Sequence, residues 1–183
     1  MFKRVCSDPF WKRPDMGTSF VPGWGCLEDG GLVLLGEAPG KEEEKLQRPF
    51  VGAAGRNLTR MLQEVGLSRE RVYMTNVVKF RPINERGGNR SPRREEQDHA
   101  IPFLMEELSI LAPRLVVCLG VPAARAVLGG PVVKMNEIAR QTFQLDRFQA
   151  MVTYHPSPLN TCNPARREAL HSAFLRIGKL WEQ

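Results

Sequence analysis

The sequence is poor in the residues that staple a chain. It has four cysteines in 183 residues, at positions 6, 26, 118 and 162, and no C-x-x-C pair. Spacing this wide argues against a disulfide framework and against a metal or iron–sulfur site, and predicts free thiols. Cys118 falls in the apolar run "LVVCLG" and reads as a buried core thiol. Long hydrophobic runs are also missing; none approaches the ~20 residues that span a bilayer. The N-terminal "MFKRVCSDPFWKRPDMG" has charges but no apolar h-region, so a secretory signal is not expected and a cytoplasmic location is. No G-x-G-x-x-G occurs. "GEAPGK" has three residues between its glycines where a phosphate loop needs four, and Glu42 follows the Lys. Dehydrogenase and ATPase readings fall away. Repeats and low-complexity tracts are absent. Acidic residues are the scarcer charge, 20 against 26 Lys+Arg, for a net +6 and a pI near 9.5. That balance points to nucleic acid or another anionic partner.

What is present alternates between two periods. "GLVLLG" (31–36), "RVYMTNVVKF" (71–80), "RLVVCLG" (114–120) and "QAMVTYH" (149–155) are short apolar runs, expected as buried strands. Between them lie helical patterns. One spans 52–68, with apolar Leu58, Met61, Leu62 and Val65. A second spans 91–113, opening on Ser-Pro, with a kink or break expected at Pro102. "VPAARAVLG" is a short helix, and "NPARREALHSAFLRIGKLWEQ" an amphipathic one starting at Pro164. Residues 132–148 predict a hairpin-like excursion, and residues 1–30 an irregular extension packed on the domain. The expected fold is α/β: a three-layer α/β/α sandwich around a four-stranded, mainly parallel sheet, in one domain over 1–183. Such sheets bind ligands outside the carboxyl ends of their strands. "GEAPG", Thr75-Asn76, Leu119-Gly120 and "HPSPL" should therefore converge on one crevice.

Three of these segments carry a resemblance. "GEAPGKEEEKLQRPFVGAAG", "TNVVKFRP" and "YHPSPL" resemble, in order and spacing, motifs of the uracil-DNA glycosylase superfamily, in particular its family 4. The likeness spans roughly residues 31–175. It implies a glycosylase that flips uracil out of DNA, hydrolyses its N-glycosidic bond and leaves an abasic site. A uracil- or abasic-site binder with little turnover, or a glycosylase for another deaminated base, are the alternatives. Family 4 members hold a 4Fe–4S cluster through four cysteines. Here Phe80 stands at one of those positions and "EEQDHAIPF" supplies no other, so a cluster-free relative with no cofactor and no metal is expected.

The resemblance implies a site, and chemistry gives each residue a task. Phe50, after Arg48-Pro49, would stack on the flipped base. Asn76 offers an acceptor and donors that match uracil N3–H and O4 and mismatch cytosine. His155 would aim an N–H at O2 of the departing uracil anion. Gly36 and Ala38 would shape the base pocket. The four glutamates at 37 and 42–44 sit oddly in a basic chain. A sugar that turns cationic as the base departs, and a water that must then be oriented, give a carboxylate its use. Glu43 is expected in that role, with Glu37 shaping the pocket or holding the loop through backbone N–H groups, and Glu42 and Glu44 facing solvent. For DNA, Leu159 would act as an apolar wedge beside Ser157. Arg81, Arg86, Arg90, Arg93 and Arg94, in a flexible basic loop, and Arg166 and Arg167 would grip phosphates. The expected partners are uracil-containing DNA and the abasic product, with no membrane, for a chain acting as a monomer.

Overall fold

Alternate residues of the first long strand run into different cores, and this sets the architecture. Val33 and Leu35 pack in one apolar cluster, Leu32 and Leu34 in the other, all fully buried. A strand covered on both faces needs helices on both faces. The computed structural model describes residues 1–26, 31–130, 134–139 and 141–181. Among them it has strands β1 (Trp24–Gly25), β2 (Leu32–Gly36), β3 (Tyr73–Asn76), β4 (Leu115–Leu119), β5 (Thr142–Gln144) and β6 (Gln149–Thr153). The helices are α1 (Phe2–Ser7), α2 (Lys41–Leu46), α3 (Ala53–Glu64), α4 (Arg94–Leu111), α5 (Val121–Leu128), α6 (Met135–Ile138), α7 (Pro158–Thr161) and α8 (Pro164–Trp181). Helices α4 and α5 pack on one face through Leu104, Leu108 and Ala123. The other face takes α3 and α8 through Leu58, Leu62, Leu170 and Phe174. The three-layer expectation holds.

The sheet has six strands, ordered β1-β3-β2-β4-β6-β5, where four were expected. The inner four are the expected parallel set; the extra two are short antiparallel edges. At two and three residues they are too short to leave a hydrophobic pattern. β5 forms the expected hairpin with β6; Val132, Val133 and Arg140 of that excursion lie outside the described residues. The order reverses at β2, with β3 on one side and β4 on the other, which puts the switch point at Gly36.

Three boundaries differ from expectation. β3 stops at Asn76 because Val77 and Val78 N–H turn back onto the carbonyls of Gly36 and Glu37, each at 3.0 Å. Helix α4 starts at Arg94, where the Glu96 carboxylate accepts from the Arg93 N–H at 2.8 Å. It also runs unbroken through Pro102, whose missing N–H leaves only the carbonyl of Asp98, an exposed residue, without its helical donor.

The N-terminal segment is a strap with its own bonds. Gly17 N–H reaches the Arg81 carbonyl at 2.7 Å and Val21 N–H that of Lys79 at 2.9 Å. Trp11 stacks on Phe80 at 5.7 Å, Phe20 meets Phe80 edge-on at 5.8 Å, and Phe10 lies on His99 at 3.9 Å. His99 also reaches Asp8 at 2.7 Å, so it belongs to this strap. Trp11→Ala empties the middle of the aromatic stack. It is expected to lower the unfolding free energy by about 3–5 kcal/mol, read as a lower urea midpoint at unchanged slope. An unchanged midpoint would mean the strap carries no stability.

Candidate active site

Strand register builds the site. Gly36 pairs with Asn76 at the carboxyl ends of β2 and β3, and β6 ends two residues before His155. A methyl at Gly36 would stand 2.3 Å from Asn76 Oδ1 and 2.7 Å from Phe50 Cζ, so only glycine admits both side chains. Phe50 is held by force. Its φ is +54°, a left-handed conformation that costs a bulky residue energy. The Arg69 guanidinium fixes that turn by donating to the Phe50 carbonyl at 2.7 Å and the Pro49 carbonyl at 3.2 Å. Helix α3 presses on the same carbonyl, and a Cβ at Gly55 would sit 1.8 Å from it. The Phe50 and His155 rings lie 6.2 Å apart, inclined by 29°. Asn57 Nδ2 donates to the Pro156 carbonyl at 3.0 Å and Asn160 Nδ2 to that of His155 at 2.8 Å, which anchors the His-Pro segment.

Phe50, Asn76 and His155 line a cavity of about 320 Å³, closed further by Ala38, Gly40, Glu42, Glu43 and Asn89, with Gly36 lying behind Asn76 and Phe50 and not on its wall. That is the lower end of the range for small-molecule sites. Asn76 is 5% exposed and lines the cavity, and its carboxamide makes no hydrogen bond among the described residues, so its donor and acceptor are both free for a ligand. Burial pushes the His155 pKa down, and the Glu43 charge opposes that. A neutral imidazole keeps one N–H to donate. A larger hollow, about 840 Å³, lies between Asp15 and the 83–93 loop and touches none of the strand-end residues.

The glutamates divide differently from expectation. Glu43, not Glu37, holds the loop: Oε1 accepts from Val51 and Gly52 N–H at 3.1 and 2.8 Å, and Oε2 from Gly40 N–H at 3.1 Å. A carboxylate has about four acceptor positions, so one remains for a water in the cavity. Glu42 is exposed at the rim, but Glu44 is turned inward onto Arg81 at 3.3 Å. Glu37 does not line the cavity. It is largely buried, Ser91 bonds it, and Oε1 has no partner. Burial raises its pKa, with the Ser91 bond opposing. A carboxyl with a raised native pKa holds extra protons relative to the unfolded chain, so stability falls as pH rises from 4.5 through the native value. Glu37→Gln should therefore stabilise the protein at pH 8 more than at pH 4, by thermal melts. A variant less stable than the parent at pH 8 would overturn that reading.

The arginines also separate. Arg81 is 6% exposed and spends its guanidinium on Asn89 Oδ1, the Gly87 carbonyl and Glu44. Arg90 is spent on Asp15, Glu96 and the Ile83 carbonyl. Instead of projecting, Arg81 ties the loop to α2 through Glu44, and Arg90 ties it to the strap through Asp15 and to the fully buried Glu96, whose charge needs a cation. Arg93 pairs with Asp15 and Arg94 with Asp98, both at the surface. Arg86 is exposed without a side-chain partner among the described residues. Beyond the His-Pro segment, Leu159 is 77% exposed on α7, which Ser157 precedes. Arg166 reaches Asn160 Oδ1 at 3.0 Å, and Arg167 is exposed. Asn89 and Arg69 escaped the sequence reading: only tertiary bonds bring the loop's Asn89 to the cavity and Arg69 beneath Phe50.

The chain's motifs, their order on the sheet and this cavity agree with a family comparison. The model of the Uracil DNA glycosylase superfamily matches residues 22–177. The chain belongs to the uracil-DNA glycosylase superfamily. It is a DNA glycosylase, an enzyme that hydrolyses N-glycosidic bonds. It is 41% identical to a type-4 uracil-DNA glycosylase of Thermotoga maritima, over 84% of this chain and 79% of that protein. The type-4 enzyme of Archaeoglobus fulgidus is 38% identical, over 89% and 82% respectively. A type-5 uracil-DNA glycosylase of Pyrobaculum aerophilum is 33% identical, over 86% and 72%.

The iron–sulfur cluster of family 4 does not fit the residues of this superfamily member. Phe80 is packed between Trp11 and Phe20 where a ligand would stand. Cys118 is sealed in β4, its pKa pushed up to about 12 by burial, while Cys6, Cys26 and Cys162 are exposed. No group of three potential ligands gathers among the described residues.

Proposed function

We propose that this glycosylase releases uracil from DNA as a monofunctional enzyme, acting on an everted nucleotide and leaving an intact strand with an abasic site. The supporting observation is the meeting of Phe50, the unpaired Asn76 carboxamide and His155 in one cavity of about 320 Å³. Phe50 stacks on the base. Asn76 accepts from N3–H and donates to O4. The C1′–N1 bond breaks and its electron pair leaves with uracil, whose O2 takes the His155 N–H hydrogen bond as charge builds. Glu43 faces the cationic sugar, and its free acceptor position orients the water that adds to C1′; the proton that water loses ends on the departed uracil anion, giving neutral uracil and the abasic hydroxyl. Gly36 and Ala38 leave the base its room, and Leu159 fills the vacated place in the stack. Uracil-containing DNA is then substrate and abasic DNA product, for a protein acting as a monomer in the cytoplasm.

Incubating the protein with uracil-containing oligonucleotide in EDTA buffer tests this. Free uracil should appear, and the strand should break only after hot alkali. Folded protein that releases no uracil would refute the assignment. Strand breaks without alkali, together with borohydride trapping on Lys41 at the cavity rim, would replace the monofunctional reading with a lyase.

A further inference from the structure

A second hollow shares Phe50 with the base cavity. It measures about 260 Å³ and is otherwise lined by Arg48, Val51, Arg56, Thr59 and Arg69. Three of its six lining residues are arginines and none is acidic. Arg48 sits over the Trp24 ring, its guanidinium carbon 3.4 Å from the centroid, and its buried Nε has no hydrogen-bond partner among the described residues. Arg69 donates to backbone carbonyls and to Thr59 Oγ1, and to no carboxylate among the described residues. Burial first, and then the neighbouring Arg48 charge, push its pKa down, while Glu70 and Glu43 counter more weakly. Arg56, in the first turn of α3, is exposed and has no side-chain partner among the described residues. Guanidiniums that line one hollow, offset only at longer range by Glu70 and Glu43, repel one another and lose hydration, so the arrangement gains from an anion.

We propose that the Arg48–Arg56–Arg69 hollow binds a phosphate of the nucleic-acid backbone, next to the nucleotide whose base enters the cavity. Guanidinium forks match phosphate oxygens two at a time, and the shared Phe50 wall fixes the phosphate's distance from the flipped base. This rests on the DNA substrate of the proposed function. It adds a residue set the motifs do not assign.

Arg56→Gln, on an exposed helical position, tests it. Binding to uracil-containing and to undamaged oligonucleotides is measured by fluorescence anisotropy from about 50 to 200 mM salt. One lost phosphate contact should flatten the slope of log K against log salt by about 0.7–0.9 and weaken binding roughly 5- to 10-fold, equally for both DNAs. In parallel, inorganic phosphate at constant ionic strength is titrated against thermal unfolding of both proteins. Unchanged DNA binding with phosphate stabilising only the parent would assign the hollow to a free phosphate and overturn the backbone assignment. No effect in either arm would remove the anion site altogether. Because undamaged DNA gives the readout, absence of uracil release would sink the glycosylase reading while leaving this result standing.

Discussion

His155→Ala is expected to lower single-turnover uracil release by about 100- to 1000-fold, while affinity for abasic DNA stays within a few-fold. The size follows from losing one aimed donor at a developing oxyanion in a site that excludes water. The split between rate and affinity follows because the hydrogen bond strengthens only as O2 becomes negative. His155→Gln retains an N–H donor on a side chain of similar reach and should recover part of the rate. Burial lowers the His155 pKa, so the neutral ring persists below the usual histidine range. Loss of the ring also has a stability signature. The unfolded chain protonates its histidine first, so the parent loses stability relative to His155→Gln as pH falls below 6.5. Equal single-turnover rates for parent and His155→Ala would remove the imidazole from the chemistry.

Asn76→Asp is expected to reduce uracil release by about 100- to 10,000-fold and to weaken discrimination against cytosine. An ionised aspartate only accepts, so O4 of uracil would face a carboxylate oxygen across a dry contact. The protonated acid offers the donor and acceptor that cytosine needs at N3 and N4. Asn76 is buried at the register position beside Gly36, so the new carboxyl cannot swing to solvent. Competition between uracil- and cytosine-containing oligonucleotides reads the ratio directly. A variant with the parent's selectivity would place base recognition elsewhere.

How much of this was legible beforehand depended on the range of the cause. Strand cores were legible because Leu32 to Leu35 and Leu115 to Leu119 are continuous apolar runs, and the carboxyl-end rule then placed Asn76 and His155 together. Edge strands were not, since two or three residues carry no period. The convergence of Phe50 was legible only through its motif; the strained turn that holds it depends on Arg69, nineteen residues away, and no local pattern announces such a bond. Charge was the least legible property. Arginines in a Gly- and Asn-rich segment suggest a loose basic loop, yet Arg81 and Arg90 are consumed by Glu44, Asp15 and Glu96. Arg48, Arg56 and Arg69 form no ion pair among the described residues, and sequence distance hid their meeting. The question raised by four glutamates in a basic chain also has a local answer in the fold: one caps the loop and faces the cavity, one neutralises an arginine, one lies buried, and one faces water.

A crystal structure of the protein with abasic DNA and free uracil tests the base pocket most directly. The expected result is uracil on the Phe50 ring, with N3–H and O4 each about 2.8–3.0 Å from the Asn76 carboxamide and O2 toward His155. Uracil bound away from these three side chains, or held with its N3 edge turned from Asn76, would contradict the account.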